Sequence, residues 1–350
     1  MIIYHIFSQK KRRKRMIINN FKPFNGQHCE ATTTGCLLQY LGIFFSEPLL
    51  FGLGGGLSFI IWNMKTMDFP FIGGRIKTDL LTQNITQQLN LKLKVQETSS
   101  VKKAWENVKE KIDLGIPVGI KLDSYYLDYF TKKFHFAGHY VAMYGYDENN
   151  AYLVDTIQQG GLVKASLENL ALARNAKGPM SSRNLSYTIL ATNKEYDLKK
   201  VILQAMLNNA QDYLNPPIQN MGYQGILKAS KEVKKWFQQS KDVERDFKTA
   251  AIFMEKAGTG GALFRNLYRD FLKESYQLLK VEEIKKTYDL FVNIAQLWRT
   301  VSKLFMKAGD KKDMAYINKA SDVLAEISHK EKEAMSILLE VGQEMVLQQV

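Results

Sequence analysis

Cysteine and proline are scarce in this sequence of 350 residues, which contains 2 Cys and 7 Pro. Two cysteines cannot form the disulfide framework of a small secreted protein or a zinc site made of cysteines alone. The low proline count and a hydrophobic content of 45% exclude disordered and collagen-like chains. The apolar stretch of residues 44–62 is interrupted by polar residues, a proline and several glycines, so it does not predict a membrane span. We therefore expect a globular protein of about two domains, without membrane association, in a reducing, cytoplasmic setting.

Positive charge is in excess, with a formal net charge of +13. About half of that excess is one basic run, residues 10–15, and Met16 follows it directly. We expect residues 1–15 to be a flexible arm or a misassigned start, and the apolar-then-basic order is the reverse of a secretory signal. A binding module that uses this run is the weakest hypothesis, because no helix-turn-helix, zinc or RNP motif accompanies it, and we expect no nucleic-acid partner. The remaining basic residues suit an acidic protein partner.

The chain changes character near residue 192. Before it lie most of the glycines and the short β-like runs, which are residues 118–122, 139–146, 152–155 and 185–190. After it, apolar residues recur at helical spacing in residues 198–214, 226–254, 284–305 and 314–327, with breaks at Pro216–Pro217 and at glycines 258–261. These patterns predict an α+β fold that consists of a basic arm (1–20), a mixed domain (21–192) and an all-helical domain (193–350), with a linker at 192–197.

Cys29 is the first candidate for chemistry. It follows a polar loop and precedes a segment with leucines at helical spacing, so we expect it at or just inside a helix N-terminus. Backbone N–H groups and the positive end of the helix dipole stabilise a thiolate at such a position. Cys36 lies two turns further on, roughly 10 Å away, which is too far for a disulfide, and we interpret it as a small core residue.

His139 and Asp155 complete a candidate triad with Cys29. His139 opens a predicted strand that ends in a glycine-containing turn, and Asp155 ends the next short strand. Antiparallel pairing brings these two ends together, so that the carboxylate can fix the imidazole tautomer. A cysteine on a helix N-terminus with His and Asp on a following sheet is the plan of papain-type thiol enzymes.

The other histidines fit the role of general base less well. His5 lies in the arm, and His329 lies in a charged helical segment where a surface position is expected. His28 adjoins Cys29, but adjacent side chains rarely point at each other, so loop packing or substrate contact suits it better. His135 is the true rival, and we prefer His139 because it opens a strand and has a spaced acidic partner.

Two further groups have simpler interpretations. The glycine run of residues 52–56 does not match a dinucleotide fingerprint, and we expect a loop where the backbone approaches the site or another segment closely. The aromatic group Tyr125, Tyr126, Tyr129 and Phe130 predicts packing rather than a substrate wall.

Three blocks of sequence resemble a known family. They are residues 28–33 (HCEATT), 46–57 (SEPLLFGLGGGL) and, in the helical half, 257–272 (AGTGGALFRNLYRDFL). The first two resemble the butirosin biosynthesis protein H N-terminal family, and the third resembles the helical domain that accompanies it. The resemblance covers nearly all of the chain after Met16.

The resemblance implies a papain-like N-terminal domain and an acyltransferase activity. The namesake transfers an acyl group from a carrier-protein thioester to an amine of a small molecule, and related cysteine-protease homologues make amide bonds in antibiotic assembly lines. By matching position, Cys29 is the expected nucleophile, His139 the general base and Asp155 the orienting carboxylate. The expected partners are an acyl or peptidyl carrier protein, whose phosphopantetheine carries the donor, and an amine acceptor. No cofactor or metal bound to this chain is implied, and the oligomeric state is open.

One position departs from papain-like enzymes in the narrower sense. Their oxyanion glutamine lies further upstream of the cysteine, where this sequence has Pro23. Asn25 or Gln27, together with the backbone N–H of Cys29, is the expected substitute. The main alternative function is hydrolysis by the same triad, as a thioesterase or peptidase, because nucleophile and base are shared.

Overall fold

The computed structural model describes residues 15–63, 67, 69–178 and 180–347, except for the side chains of 345–347. The chain forms two compact units. Within the described residues, the sheet unit comprises 15–23, 95–155 and 159–178 with 180–188, and the helical unit comprises 24–94, 156–158 and 189–347. The predicted domains 21–192 and 193–350 follow chain order, whereas these units do not, because residues 24–94 share a unit with the helical half. The domain boundaries 21–192 and 193–350 therefore stay a prediction.

The strands and helices are named here in chain order. The strands are β1 Met16–Ile17, β2 Leu57–Trp62, β3 Phe71–Arg75, β4 Lys92–Gln96, β5 Val118–Leu122, β6 His139–Tyr146, β7 Asn150–Val154, β8 Leu162–Ser166 and β9 Ser186–Leu190. The helices are α1 Cys29–Tyr40, α2 Glu47–Leu53, α3 Leu80–Gln88, α4 Val101–Asp113, α5 Leu167–Asn175, α6 Leu198–Leu214, α7 Gly222–Gln239, α8 Val243–Lys256, α9 Arg265–Leu279, α10 Glu282–Lys311 and α11 Met314–Leu347.

One sheet forms the centre of the sheet unit. Its strand order is β4-β9-β5-β6-β7-β8, and β1 pairs with the end of β6 that extends beyond β5. Apolar side chains of β5, β6 and β7 form a core with those of α4 and α5. The strands predicted at 118–122 and 139–146 are confirmed as β5 and β6, and β7 begins two residues before the predicted run. Strand β8 was not predicted.

The predicted basic arm is only partly described. Residues 1–14, with most of the basic run 10–15, lie outside the described residues. Residues 16 and 17 are not part of an arm, because Met16 pairs with Tyr146 and Ile17 with Gly145 in the sheet. The guanidinium of Arg15 lies 5.2 Å from the ring centre of Tyr152. The prediction of an arm extending to residue 20 is therefore wrong for residues 16 and 17.

The helical unit confirms the periodicity of the second half. Helix α6 covers the predicted segment 198–214, and Asp197 caps it by accepting from the N–H groups of Lys199 and Lys200. Pro216–Pro217 separate α6 from α7, as predicted. The segment predicted over 226–254 is two helices instead, because Asp242 caps a new helix by accepting from the N–H of Arg245. With a sheet followed by a long helical region, the chain is an α+β protein, as predicted.

The glycine run of residues 52–56 was predicted as a loop, and its first two residues are helical. Gly52 lies inside α2, where a β-carbon would come within 2.1 Å of the Phe271 ring. Gly54 and Gly55 end the helix, and Gly55 has a φ of +60°. The expectation of close backbone approach is confirmed, and the glycine permits α2 and α9 to pack.

A buried ion pair joins the C-terminal helices. Glu331 of α11 accepts from the Nε and Nη2 of Arg265 at 2.8 and 2.9 Å, from the Nε1 of Trp298 at 2.8 Å and from the hydroxyl of Tyr213. Arg265 and Glu331 are both fully buried. A buried pair costs desolvation on both sides, so its stability depends on this complete set of donors.

The segment before α9 has an unusual backbone. Ala262, Leu263 and Phe264 have φ values of 50°, 48° and 73°, so three successive non-glycine residues are left-handed. This conformation costs roughly 1–2 kcal/mol per residue, and it persists only where surrounding contacts determine it. Arg265 supplies one such contact by donating from Nη1 to the carbonyl of Leu263 at 2.7 Å.

Within the described residues, no helix is both long enough and apolar enough to cross a membrane.

Breaking the buried ion pair should destabilise the protein strongly. Replacing Glu331 with Gln leaves the Arg265 guanidinium without a counter-charge, so we expect the free energy of unfolding to fall by about 3–5 kcal/mol. The control is Glu326→Gln on the same helix, where an exposed carboxylate lies 3.7 Å from Lys330 and the change should stay below about 0.5 kcal/mol. Urea denaturation measures both. Equal effects of the two substitutions would contradict the role given to Glu331.

Candidate active site

His139 and Asp155 form a buried pair in the sheet unit. The Nε2 of His139 lies 2.7 Å from the Oδ2 of Asp155, and both side chains are nearly inaccessible to solvent. With a carboxylate as acceptor, Nε2 carries the proton and Nδ1 is the nitrogen with the lone pair. The pair can therefore hold one imidazole tautomer and stabilise the imidazolium form.

Strand register explains why these two residues meet. Ala142 of β6 pairs with Val154 of β7, so Asp155 continues opposite Val141. His139 is two residues before Val141 and projects from the same face of the sheet, which makes His139 and Asp155 diagonal neighbours. The predicted hairpin geometry is thus confirmed, although the catalytic roles stay a prediction.

Tyr129 is a second partner of Asp155 that the sequence did not reveal. Its hydroxyl donates to the same Oδ2 at 2.8 Å. Burial and the nearby Asp155 charge raise the pKa of Tyr129 well above its ordinary value, so the hydroxyl stays a donor. Phe130 packs edge-on against the His139 ring, with ring centres 5.3 Å apart. The expectation of packing holds for Phe130 but misses the hydrogen bond of Tyr129.

The rival histidine also has a carboxylate. The Nδ1 of His135 lies 2.9 Å from Asp123, and its ring stacks on Tyr125 with centres 4.0 Å apart. The side chain of His135 is 63% exposed, whereas that of His139 is 9% exposed. Asp123 also accepts from the N–H groups of Tyr125 and Phe136, so it organises the loop after β5. Both histidines therefore have a carboxylate partner, and they differ in burial.

Cys29 is the first residue of α1, as predicted, and α1 belongs to the helical unit rather than to a domain 21–192. Cys29 is 9% exposed, and both cysteines are free thiols. Cys36 is fully buried and accepts from the N–H of Phe24 at 3.3 Å. Burial raises the pKa of Cys36 to about 12, so this thiol is not a nucleophile near neutral pH.

A single carboxylate oxygen holds the loop before Cys29. The Oε1 of Glu47 accepts from the N–H of Gln27 at 2.7 Å and from that of His28 at 2.6 Å. Gly26 permits this approach, because a β-carbon there would lie 2.9 Å from the same oxygen. Burial raises the pKa of Glu47, and the two N–H donors act against that rise. Neither the sequence spacing nor the motif had indicated this role for Glu47.

The two predicted oxyanion residues lie on that loop. Asn25 is exposed and Gln27 is half-buried. The Oε1 of Gln27 accepts from the Nε2 of Gln158 at 3.3 Å, which directs the Gln27 amide. Nothing in these contacts assigns a donor role to either residue.

The predicted triad is distributed over the two units. Cys29 belongs to the helical unit, whereas His139 and Asp155 belong to the sheet unit. Among the described residues, no group of three or more His, Cys, Asp or Glu side chains could hold a metal ion.

Glu47 should fix the loop as an acceptor, and its charge should cost stability. With Glu47→Ala, we expect amide-exchange protection at Gln27 and His28 to fall by about 10- to 100-fold, since hydrogen bonds to charged groups contribute about 1.5–3 kcal/mol. Glu47→Gln keeps the acceptor and should retain most of that protection. Because the folded pKa is raised, wild-type stability should fall as pH rises above the ordinary value of 4.5, and Glu47→Gln should remove that slope.

Hydrogen–deuterium exchange measures the protection, and Glu283→Ala on the exposed face of α10 is the matched control. Equal loss in the Ala and Gln variants would show that charge, and not the acceptor geometry, holds the loop.

Two family models match the chain. Residues 168–338 match "Domain of unknown function (DUF4872)", and residues 28–156 match "Butirosin biosynthesis protein H, N-terminal". No curated protein matches the chain. The second model contains Cys29, the Glu47 carboxylate that holds its loop, and the His139–Asp155 pair. Residues 28–156 are therefore similar to the butirosin biosynthesis protein H N-terminal family.

Proposed function

We propose that this protein is a cysteine acyltransferase of antibiotic-type biosynthesis. It takes an acyl group from the phosphopantetheine thioester of a carrier protein and forms an amide bond with an amine acceptor. The observation that carries the proposal is the buried 2.7 Å pair of His139 and Asp155, within a family segment that also contains Cys29 at a helix start. The family description, which concerns the biosynthesis of butirosin, supports a role in antibiotic biosynthesis.

The proposed fold of the catalytic part is papain-like. Cys29 opens a helix, and His139 and Asp155 lie on a sheet that follows it in the chain. This order of elements supports the papain-type plan, in which the cysteine is the nucleophile and the histidine is its base.

The reaction proceeds in two transfers. His139 takes the proton of the Cys29 thiol, and the sulfur attacks the thioester carbonyl and forms a new C–S bond. The C–S bond to pantetheine then breaks, and the pantetheine sulfur leaves with the proton from His139. The amine then attacks the acyl-enzyme, a C–N bond forms and the bond to Cys29 breaks, while His139 takes the amine proton. Asp155 keeps the imidazole oriented throughout. Thioester exchange is nearly balanced and amide formation is downhill, so the proposal needs neither ATP nor a metal.

The oxyanion of each tetrahedral intermediate needs two donors. Glu47 already takes the N–H groups of Gln27 and His28, so the backbone donor in this proposal is the N–H of Cys29. The side-chain amide of Gln27 or Asn25 is the second donor.

Charge supports a carrier protein as partner. Carrier proteins are typically acidic, and about half of the net charge of +13 lies outside the basic run 10–15. Opposite charge steers association and raises the encounter rate. Two free thiols suit a reducing compartment, and we place the reaction in the cytoplasm.

Loss of the Cys29 thiol should abolish acyl-enzyme formation. Incubation with an acylated carrier protein should add the acyl mass to the wild type, and peptide mapping should place it on Cys29. Cys29→Ala should show no adduct, whereas Cys36→Ala, the matched control, should acylate normally. With an amine present the product should be an amide. Free acid in equal yield with and without amine would contradict the transferase and favour the thioesterase or peptidase alternative.

Loss of the hydrogen bonds around Asp155 should lower kcat. Asp155→Asn no longer holds the imidazole tautomer, so we expect kcat to fall by at least about 100-fold without unfolding. Tyr129→Phe removes one donor to the same oxygen and should lower kcat by about tenfold, with KM nearly unchanged. The control is Tyr125→Phe, at a residue that is 39% exposed, and steady-state transfer assays with circular dichroism measure all three. Full activity of Asp155→Asn would remove Asp155 from the mechanism.

A further inference from the structure

His28, the residue before Cys29, occupies the N-cap position of α1. Its backbone is extended, with φ −93° and ψ 119°, as N-caps require. Ser, Thr, Asp and Asn are preferred at this position because their side chains accept an N–H of the first turn. In the part of the chain that the structure describes, the His28 side chain does not cap the helix. The ring has a different set of contacts.

Two aromatic rings enclose the imidazole of His28. Phe51 of α2 meets it edge-on with ring centres 5.9 Å apart, and Phe264 meets it at 90° with centres 5.5 Å apart. Phe51 and Phe264 stack on each other at 5.6 Å. His28 is only 2% exposed, so the ring is enclosed on nearly all sides.

One guanidinium binds the residues on both sides of Cys29. The Nη1 of Arg75, at the end of β3, donates to the Nε2 of His28, and its Nη2 forms an ion pair with Glu30 at 2.6 Å. The Nε of Arg75 donates to the carbonyl of Ile76 at 3.0 Å, which fixes the plane of the group. Because the guanidinium is rigid and planar, it sets the separation between His28 and Glu30.

Glu30 extends this anchor to α3. Its Oε1 accepts from the N–H of Thr82 at 3.1 Å and from the Thr82 hydroxyl at 3.2 Å. Glu30 is fully buried. The residue after Cys29 is therefore fixed to the first turn of a second helix as well as to Arg75.

The helical half of the chain supplies Phe264, which contacts the His28 ring. Phe264 ends the left-handed turn Ala262–Phe264, and Arg265 holds that turn through the carbonyl of Leu263 while it pairs with Glu331. The left-handed backbone of Ala262–Phe264 is unfavourable for non-glycine residues, and the surrounding contacts stabilise it. This backbone places the Phe264 ring against His28.

We infer that His28 is a positioning residue for Cys29, held in place by Arg75 and Phe264. The inference rests on the proposed function, in which Cys29 is the nucleophile. Arg75 fixes the residues before and after the sulfur, and Phe264 lets the helical half of the chain set the orientation of the His28 ring. The placement of the thiol thus depends on residues from both family segments.

Hydrogen-bond chemistry excludes His28 from proton transfer. An arginine has donors and no acceptor, so the Nε2 of His28 accepts in this hydrogen bond. Protonation at Nε2 would place two cations in contact and break the bond to Arg75. The role of His28 is geometric, which distinguishes it from His139.

Substitution at His28 separates the two roles. His28→Gln places an oxygen acceptor near the former Nε2, whereas His28→Leu keeps bulk and has no acceptor. For positioning, we expect kcat to fall roughly 100-fold in His28→Leu and less than about tenfold in His28→Gln, with KM nearly unchanged in both. A residue that carried a proton would lose the same activity in both variants, and that result would overturn the inference. His329→Gln on the exposed part of α11 is the control.

Arg75→Lys tests whether one guanidinium must bind both His28 and Glu30. Lysine keeps the charge but cannot bind two partners in one plane, so kcat should fall about 10- to 100-fold. Arg183→Lys, at an arginine whose side chain is 67% exposed, is the control and should not change kcat. Circular dichroism identifies the folded variants. Folded Arg75→Lys with wild-type kinetics would overturn the inference.

Alkylation of Cys29 by iodoacetamide, followed by intact mass and peptide mapping, tests the inference without a carrier protein. The rate should follow the same order: wild type, then His28→Gln, then His28→Leu. If that order holds while no acyl transfer is detected, the positioning role stands and the proposed function fails. Equal alkylation rates in all folded variants would show that His28 does not position the thiol.

Discussion

A loop that delivers a thiol to a helix N-terminus has backbone N–H groups that no strand or helix can satisfy. In this protein Glu47 supplies the acceptor, and one of its oxygens receives the N–H groups of both Gln27 and His28. Burial of the carboxyl opposes this arrangement, as the raised pKa of Glu47 shows, and two short hydrogen bonds offset the cost. That oxygen therefore satisfies the two backbone donors that directly precede Cys29.

The same solution recurs through the helical unit. Glu30 and Glu331 are buried carboxylates, and each is matched by an arginine and by neutral donors from other helices. Such groups add little net stability compared with apolar packing, but they penalise every arrangement in which a donor is missing. The buried carboxylates therefore favour one placement of α1, α3 and α11 over other placements that bury a similar apolar area.

Local patterns in the sequence predicted local structure well. The strands that became β5 and β6, the helix α6 and the start of α1 at Cys29 all follow from periodicity and breakers over short windows. The pairing of His139 with Asp155 could also be predicted from the sequence, because the short turn of a hairpin fixes the register of its two strands.

Contacts between distant segments could not be predicted in this way. Tyr129 lies in a loop without periodicity, and nothing in its neighbourhood indicates that its hydroxyl meets Asp155. Arg75 is separated from Glu30 by 45 positions, and its role exists only once β3 and α1 are packed. The carboxylate partner of His135 was not predicted either, because Asp123 lies just after β5 and His135 lies in a loop without periodicity.

The grouping of residues 24–94 with the helical half changes how the two family segments relate. Gly52 of α2 packs on Phe271 of α9, and the carbonyl of Leu57 accepts from Asn209 of α6 at 2.8 Å. The Nη1 of Arg265 also donates to the carbonyl of Gly74 at 3.3 Å. These contacts bury backbone groups of the N-terminal family segment against the C-terminal one, and buried backbone groups need their partners. The helix that begins with Cys29 is thus part of a unit that residues 28–156 cannot complete alone, which gives a physical reason for the two segments to occur together in this chain.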